Sequence, residues 1–314
     1  MTLSIVIVNW NVCGLLRECL RSIHAQVKLD RTEWELFVVD NNSSDDSVDM
    51  IRREYPSVQL IVNQSNVGFG AANNQAYRRT RGRYILLLNP DTVLRNSAID
   101  TLLSRMEAGP DIAALGCRLV SPDGSFQGYS LGDQPTFANL CFHFLFLNRI
   151  VPPFLQPSKL YARRDPNIER DIGWISGACL LLRTSALGEQ LFDERFFMYC
   201  EDIEVCRRLA AAGWRVVYSP AAEVIHYDGA SYKAATPDIQ MHKVRSLHMF
   251  LLLHNGLAKS RACSAVIVLG FLLRAGALTA LSLLRPSADT AAKRARTYCC
   301  LREAVRSLGA ARVE

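Results

Sequence analysis

At 314 residues, the chain has room for one large α/β domain with an appendage, or for two modest domains. Apolar residues make up 49% and charged ones 21%, which excludes a largely disordered chain and implies a sizeable core. The net charge of +6 is a mild excess suited to phosphates or an anionic membrane surface, and too small to argue for nucleic acid.

Residues 3–8 (Leu-Ser-Ile-Val-Ile-Val) form a short β-branched run, expected as a buried parallel strand. The run is too short for a signal peptide and lacks a basic lead, so a cytosolic, reducing setting is expected. The 10 cysteines include no CxxC pair, which argues against a zinc site. Leu15, Leu16, Cys19, Leu20 and Ile23 then recur at helical spacing. A second strand over 36–39 ends at Asp40, and Ser44 or Asp46 is expected to cap a helix through Val48, Met50 and Ile51. Residues 58–62 read as a third strand, 71–79 as a helix, and 84–88 as a fourth strand that stops at Asn89-Pro90-Asp91. This alternation predicts an α/β fold, a mainly parallel sheet flanked by helices. Ligands in that architecture sit beyond the carboxyl ends of the strands. Those ends read Asn9-Trp10-Asn11, Asp40-Asn41-Asn42, the stretch 63–70, and Asn89-Pro90-Asp91, four polar ends in succession.

Between about 132 and 170 the alternation is lost: 137–150 is aromatic and apolar, and prolines cluster at Pro152, Pro153, Pro157 and Pro166. An irregular insertion that packs over the site or touches lipid is expected. Order resumes over 172–182, followed by a helix over 202–212 and two short strands at 214–218 and 224–226. From Met241 the tail is helical in propensity, and 262–284 is apolar except for Arg274, with Lys259, Arg261 and Arg285 at its ends. The expected organisation is a catalytic domain over 1–235 and a helical, membrane-associating region over 236–314.

Four groups carry candidate chemistry. Asn66-Val67-Gly68-Phe69-Gly70 opens a helix, where glycines let backbone N–H groups approach a phosphate or simply make a tight turn. A dinucleotide fingerprint is disfavoured, because it should follow the first strand. Asp91 stands where a loop carboxylate can hold a divalent cation together with waters and phosphate oxygens, although Asn-Pro-Asp also suits a plain turn. Glu201-Asp202, with Glu204, starts a helix after the aromatic stretch 196–199. These acids suit either a general base tuned by mutual repulsion or first-turn helix charges. His226 ends a short strand, where a lone histidine is more often structural than a ligand.

Taken in order, Ile-Val-Ile-Val-Asn-Trp (5–10), Val-Val-Asp-Asn-Asn-Ser-Ser-Asp (38–45), Asn-Val-Gly-Phe-Gly-Ala-Ala-Asn-Asn (66–74), Leu-Leu-Asn-Pro-Asp (87–91), Trp-Ile-Ser-Gly-Ala (174–178) and Phe-Phe-Met-Tyr-Cys-Glu-Asp (196–202) resemble family 2 glycosyltransferases of the GT-A fold. The nearest branch is that of bacterial rhamnosyltransferases acting on lipid-linked saccharides, and the likeness covers residues 4 to about 231. It implies a nucleotide-diphospho-sugar transferase fold in which Asp40 reads the nucleobase. Val8, Asn9, Asn66, Gly68, Asn73 and Asn89 would surround the nucleotide, and Trp174, Ser176, Gly177 and Glu201 would shape the substrate pocket. Asp91 would ligate Mg2+ or Mn2+, His226 would be its distant second ligand, and Asp202 the catalytic base of an inverting displacement. The family's aspartate pair appears here as Asn89-Pro90-Asp91, so one carboxylate is missing. The implied partners are a nucleotide-diphospho-sugar donor, with dTDP-rhamnose first and a UDP-sugar next, and a polyprenyl-linked saccharide acceptor. A catalytically inactive membrane scaffold is the non-enzymatic alternative. A nucleotidyltransferase should carry a Gly-rich basic loop after the first strand, and Asn9-Trp10-Asn11 is not one. For 262–284, a single spanning helix is long enough but would carry Arg274 near its middle, at about 2.5–3.5 kcal/mol. Peripheral attachment at the inner leaflet of the cytoplasmic membrane, with Arg274 snorkelling, is therefore expected.

Overall fold

Largely apolar runs become the central strands, because both of their faces are covered, and the buried Ser4 and Glu35 that interrupt them are bonded to each other at 2.7 Å. In a computed structural model, which describes residues 1–161, 166–228, 238–285 and 287–309, β1 (Leu3–Asn9), β2 (Trp34–Asp40) and β4 (Tyr84–Leu88) are buried throughout. Between them lie α1 (Cys13–Gln26), α2 (Ser47–Glu54), β3 (Gln59–Val62) and α3 (Phe69–Tyr77). The chain continues through β5 (Thr92–Leu94), α4 (Ala98–Glu107), β6 (Ile112–Val120), β7 (Leu131–Gly132) and α5 (Phe137–Phe144). Next come β8 (Arg170–Asp171), β9 (Trp174–Ile175), β10 (Cys179–Arg183), α6 (Glu201–Ala211) and β11 (Arg215–His226). Helices α7 (Asp238–Asn255), α8 (Leu257–Leu284) and α9 (Ala288–Gly309) complete the chain.

The described residues divide into two units. The first comprises Met1–Gly132, Tyr161–Phe197 and Glu201–Ala234, and the second Asp133–Leu160, Met198–Cys200 and Ala235–Glu314. The expected boundary at 235/236 falls outside the described residues. The first unit holds a sheet in the order β3-β2-β1-β4-β10-β6-β11-β5, with β8 on β11. Strands β3, β2, β1 and β4 run parallel, whereas β10 is antiparallel to both neighbours and β11 parallel to β6. Leu16, Cys19, Leu20 and Ile23 of α1 are buried on one helical face against this sheet. Each such aliphatic side chain contributes about 1.5–3 kcal/mol on full burial.

Two local expectations change. The two short strands after α6 are one strand, β11, whose pairing with β6 shifts register between Tyr218 and Glu223. Pro220 lies in that irregularity and has no N–H to give a ladder, which is why the run reads as interrupted. Helix α2 has Asp46, one of the two expected residues, at its N-cap position, but the carboxylate that bonds its first turn is that of Asp45. Asp45 Oδ1 accepts from Ser47 N at 3.1 Å, while its Oδ2 accepts from Cys13 N at 2.8 Å, so one carboxylate fixes two helix starts.

The second unit is helical, and it includes the segment expected as an irregular insertion. Thr136 and Asn139 form a reciprocal capping box for α5, which packs on α8. Gly270 marks the contact: a Cβ there would lie 2.7 Å from the Phe144 carbonyl oxygen. Arg274 packs among aromatic rings of the same unit. Its guanidinium carbon stands 5.4 Å from the Phe144 ring centroid, 4.4 Å from Phe146 and 5.7 Å from Phe271. It also donates to the carbonyls of Phe144 and His143 at 3.2 and 3.4 Å. This aromatic cage satisfies the one charge in the apolar stretch. Helix α8 is long and apolar enough to cross a membrane and is mostly exposed, with Leu269, Leu272, Leu273, Leu281, Leu283 and Leu284 on its open face.

Candidate active site

The carboxyl ends of β1, β2 and β3 meet in a corner built from amides. Asn9 Nδ2 donates to Asp40 Oδ1 at 2.8 Å and to Ser43 Oγ at 3.1 Å. Ser43 in turn donates its N–H to Asp40 Oδ2 at 2.8 Å and its hydroxyl to Oδ1 at 2.6 Å. Asp40 is fully buried, so its carboxylate organises the corner. Asn9 Oδ1 is also buried and has no hydrogen-bond partner among the described residues, a lone acceptor suited to a ligand N–H. Asn41 Nδ2 donates to Gly68 O at 3.1 Å, and Asn63 Nδ2 donates to Asn41 Oδ1 at 2.9 Å. Val8 is buried beside Asn9 in β1. Ser43, Asn41 and Asn63 were not singled out in the sequence, where polar strand ends look alike.

The glycine loop is a turn more than a phosphate cradle. Gly68 sits at φ +88°, and a Cβ there would lie 2.3 Å from the Phe197 carbonyl oxygen. Its N–H donates to Asn66 Oδ1 at 2.9 Å, and Phe69 N–H donates to Phe197 O at 2.8 Å, so both groups are engaged within the protein. Asn73 is buried in α3 and donates to Phe69 O at 2.9 Å. Asn66, Gly68 and Asn73 thus dock the start of α3 beneath the aromatic stretch.

Asp91 and His226 are brought together across about 135 residues of chain by the pairing of β11 with β5, in which His226 faces Thr92. Both are buried, and Asp91 Oδ1 lies 3.3 Å from His226 Nε2. Asn89 Nδ2 is also 3.3 Å from that nitrogen. The opposite ring nitrogen, Nδ1, faces Gln127 Oε1 at 2.8 Å. Tyr129 donates its hydroxyl to Asp228 at 2.7 Å nearby. Burial and that bond, with the Asp228 and Asp91 charges, push the tyrosine pKa up. Residues 229–231 of the segment after His226 lie outside the described residues. Among the described residues no group of three or more His, Cys, Asp or Glu is placed to hold a metal. The pair nevertheless fits a divalent cation, since an imidazole nitrogen and a carboxylate oxygen converge on one space. Phosphate oxygens and water would complete the shell.

Asp202 stands in the first turn of α6, where Asp202 Oδ2 lies 3.4 Å from Gly177 N and Oδ1 accepts from Ile203 N at 2.8 Å. The turn 176–178 joins it to Asn89, beside Asp91 and His226, because Ala178 O accepts from Asn89 N at 3.0 Å. Ser176 Oγ accepts from Ala178 N at 3.2 Å, and Ser176 N donates to Ser130 O at 2.7 Å. Trp174 is buried with its ring edge-on to Tyr161 at 5.9 Å. Glu201 is buried and its Oε2 has no partner among the described residues. Burial, then the neighbouring Asp202 charge, raises the Glu201 pKa well above the ordinary carboxyl range.

Known proteins resemble this chain in sequence and fold. The model of "Glycosyl transferase family 2" matches residues 4–190. An N-acetylglucosaminyl-diphospho-decaprenol L-rhamnosyltransferase of Mycobacterium tuberculosis is 33% identical over 224 residues, covering 64% of this chain and 71% of that protein. Rhamnosyltransferase WbbL of Escherichia coli is 28% identical over 232 residues, 71% of this chain and 82% of its own. Among solved structures, a mannosyltransferase from Pyrobaculum calidifontis in complex with GDP-Man and Mn2+ aligns with a TM-score of 0.59 at 15% identity, covering 98% of this chain and 87% of that one, which shows the shared fold. The glycosyltransferase sheet, its polar strand ends and these matches lead to one assignment: the chain belongs to glycosyl transferase family 2.

Proposed function

We propose that the chain transfers L-rhamnose from dTDP-rhamnose to a hydroxyl of a polyprenyl-diphosphate-linked saccharide, with inversion at the anomeric carbon. The carrying observation is that the 176–178 turn touches Asp202 on one side and Asn89, beside Asp91 and His226, on the other. The rhamnosyl donor and lipid-linked acceptor are supported by the names of the relatives in M. tuberculosis and E. coli. In this reading Asp40, through Asn9 and Ser43, shapes the nucleobase corner, where Asn9 Oδ1 accepts a base N–H. Asp91 and His226 would hold Mg2+ or Mn2+, which neutralises charge on the departing diphosphate when bound. Asp202 takes the acceptor's proton as its oxygen attacks from the face opposite the diphosphate, and that single displacement inverts the centre. Trp174, Ser176, Gly177 and Glu201 line the sugar side, with the unpartnered Glu201 Oε2 open to a sugar hydroxyl. A panel of nucleotide sugars incubated with a prenyl-diphosphate-GlcNAc acceptor tests this. Only dTDP-rhamnose should give transfer, with the product anomer opposite to the donor's. Turnover with a UDP-sugar alone would replace the donor, and no donor turnover at all would leave the scaffold reading.

The second unit supports attachment at the cytoplasmic membrane's inner leaflet. Caging Arg274 leaves the leucines of α8 as an apolar face, and Ile150, Phe154 and Leu155 are exposed in the same unit. Arg149 stacks on the Phe146 ring that also covers Arg274, so a cation borders this surface. An apolar face with basic margins suits an interfacial helix. The protein should pellet with membranes and be released in part by alkaline carbonate. A Leu272→Glu, Leu273→Glu double variant should move largely to the supernatant. Release by detergent alone would mean a spanning helix, and a wholly soluble wild type would mean no attachment.

A further inference from the structure

We infer that Gln127 is a positioning residue that holds His226 as the Nδ1–H tautomer, aiming the free Nε2 lone pair at Asp91. Gln127 is buried, 1% exposed, in the loop after β6. Its Nε2 donates to the His226 backbone carbonyl at 2.8 Å and to Ser121 Oγ at 3.2 Å. A carbonyl oxygen accepts and never donates, so only the amide nitrogen can occupy that position. Rotating the amide by half a turn would press Gln127 Oε1 against the His226 carbonyl. The orientation of the amide is therefore set by main chain, and Oε1 must face His226 Nδ1, 2.8 Å away. An oxygen acceptor there requires Nδ1 to carry the proton, so in the neutral ring Nε2 carries none. Asn89 Nδ2, 3.3 Å from Nε2, agrees as a donor to that lone pair. The carboxylate at 3.3 Å then faces a lone pair, an arrangement that a cation between them makes favourable. Gln127 itself is fixed: its N–H donates to Leu119 O at 2.9 Å, and its carbonyl accepts from Ser130 Oγ at 2.7 Å. Residues of this kind orient ligating imidazoles in metal sites generally.

The inference rests on the reading of His226 as a metal ligand, and the two fail separately. Full-length metal-free protein with 15N-labelled histidine, of which the chain has 6, would be studied by long-range 1H–15N correlation. The His226 signals are assigned by their loss in His226→Ala. Wild type should show Nδ1 protonated and Nε2 bare, and Gln127→Met should shift His226 toward the Nε2–H form. Mn2+ alone, followed by electron paramagnetic resonance, should bind about 10–100-fold more weakly to Gln127→Met. An Nε2–H tautomer in wild type overturns the inference without any variant. Wild-type Mn2+ affinity in a Gln127→Met protein that melts normally also overturns it. Unchanged Mn2+ affinity in His226→Ala would instead remove the ligand reading, and the tautomer spectrum would still decide what Gln127 does.

Discussion

Asp202→Asn is expected to lower turnover by about 10²–10⁴-fold, the usual worth of general-base help, while donor affinity stays within a few-fold. The one carbonyl oxygen of asparagine can keep the 2.8 Å bond from Ile203 N and gives up only the long 3.4 Å contact with Gly177 N, so the first turn of α6 should keep its form. What is lost is the basic oxygen. Glu201 is a poor substitute for it, because burial and then the adjacent Asp202 charge favour the neutral form of its carboxyl. Glu201→Gln, which mimics that neutral state, should accordingly cost far less than Asp202→Asn. Steady-state kinetics with varied donor and acceptor separate the two: a loss in kcat with donor KM preserved is the expected pattern. Near-normal turnover in Asp202→Asn would remove it from the role.

The sheet was legible because its chemistry is local. Strands β1, β2 and β4 are mostly apolar runs that lead into polar residues, and α1 shows its buried face at helical spacing. Their polar ends pointed to the site for the same reason. What stayed hidden depends on partners distant in sequence. Asp45 caps a helix 32 residues away, and nothing near it shows that. Gln127 follows an ordinary Ser-Pro-Asp-Gly-Ser turn, and its burial against His226 exists only once β11 lies beside β6. The glycine loop stays open in a different way: glycine is needed at Gly68 for its positive φ and the close approach of Phe197 O, and sequence cannot distinguish that need from phosphate binding. Arg274 looked like a charge seeking water because its three phenylalanine neighbours come partly from residues 144–146, far back in the chain.

Removing the Asp91–His226 pair should be as costly as removing the base. A cation held between Asp91 Oδ1 and His226 Nε2 would sit where the protein supplies only two ligands, with no third acidic or imidazole group near among the described residues. Affinity for metal alone should then be modest and rise when a nucleoside diphosphate adds its oxygens. With so few protein ligands, neither can be spared. Asp91→Asn and His226→Ala should each lower turnover by on the order of 10²–10³-fold, from losing several kcal/mol of charge stabilisation at the leaving diphosphate. Each should also weaken dTDP binding in Mn2+ while leaving its binding in metal-free buffer unchanged, a contrast that loss of folding would not produce. The double variant should be little worse than either single one, since the two side chains act through one ion. Calorimetric titration of dTDP with and without Mn2+, alongside turnover in excess chelator, reads all of these. Full wild-type activity in the chelator would mean that the departing diphosphate is stabilised by protein groups alone.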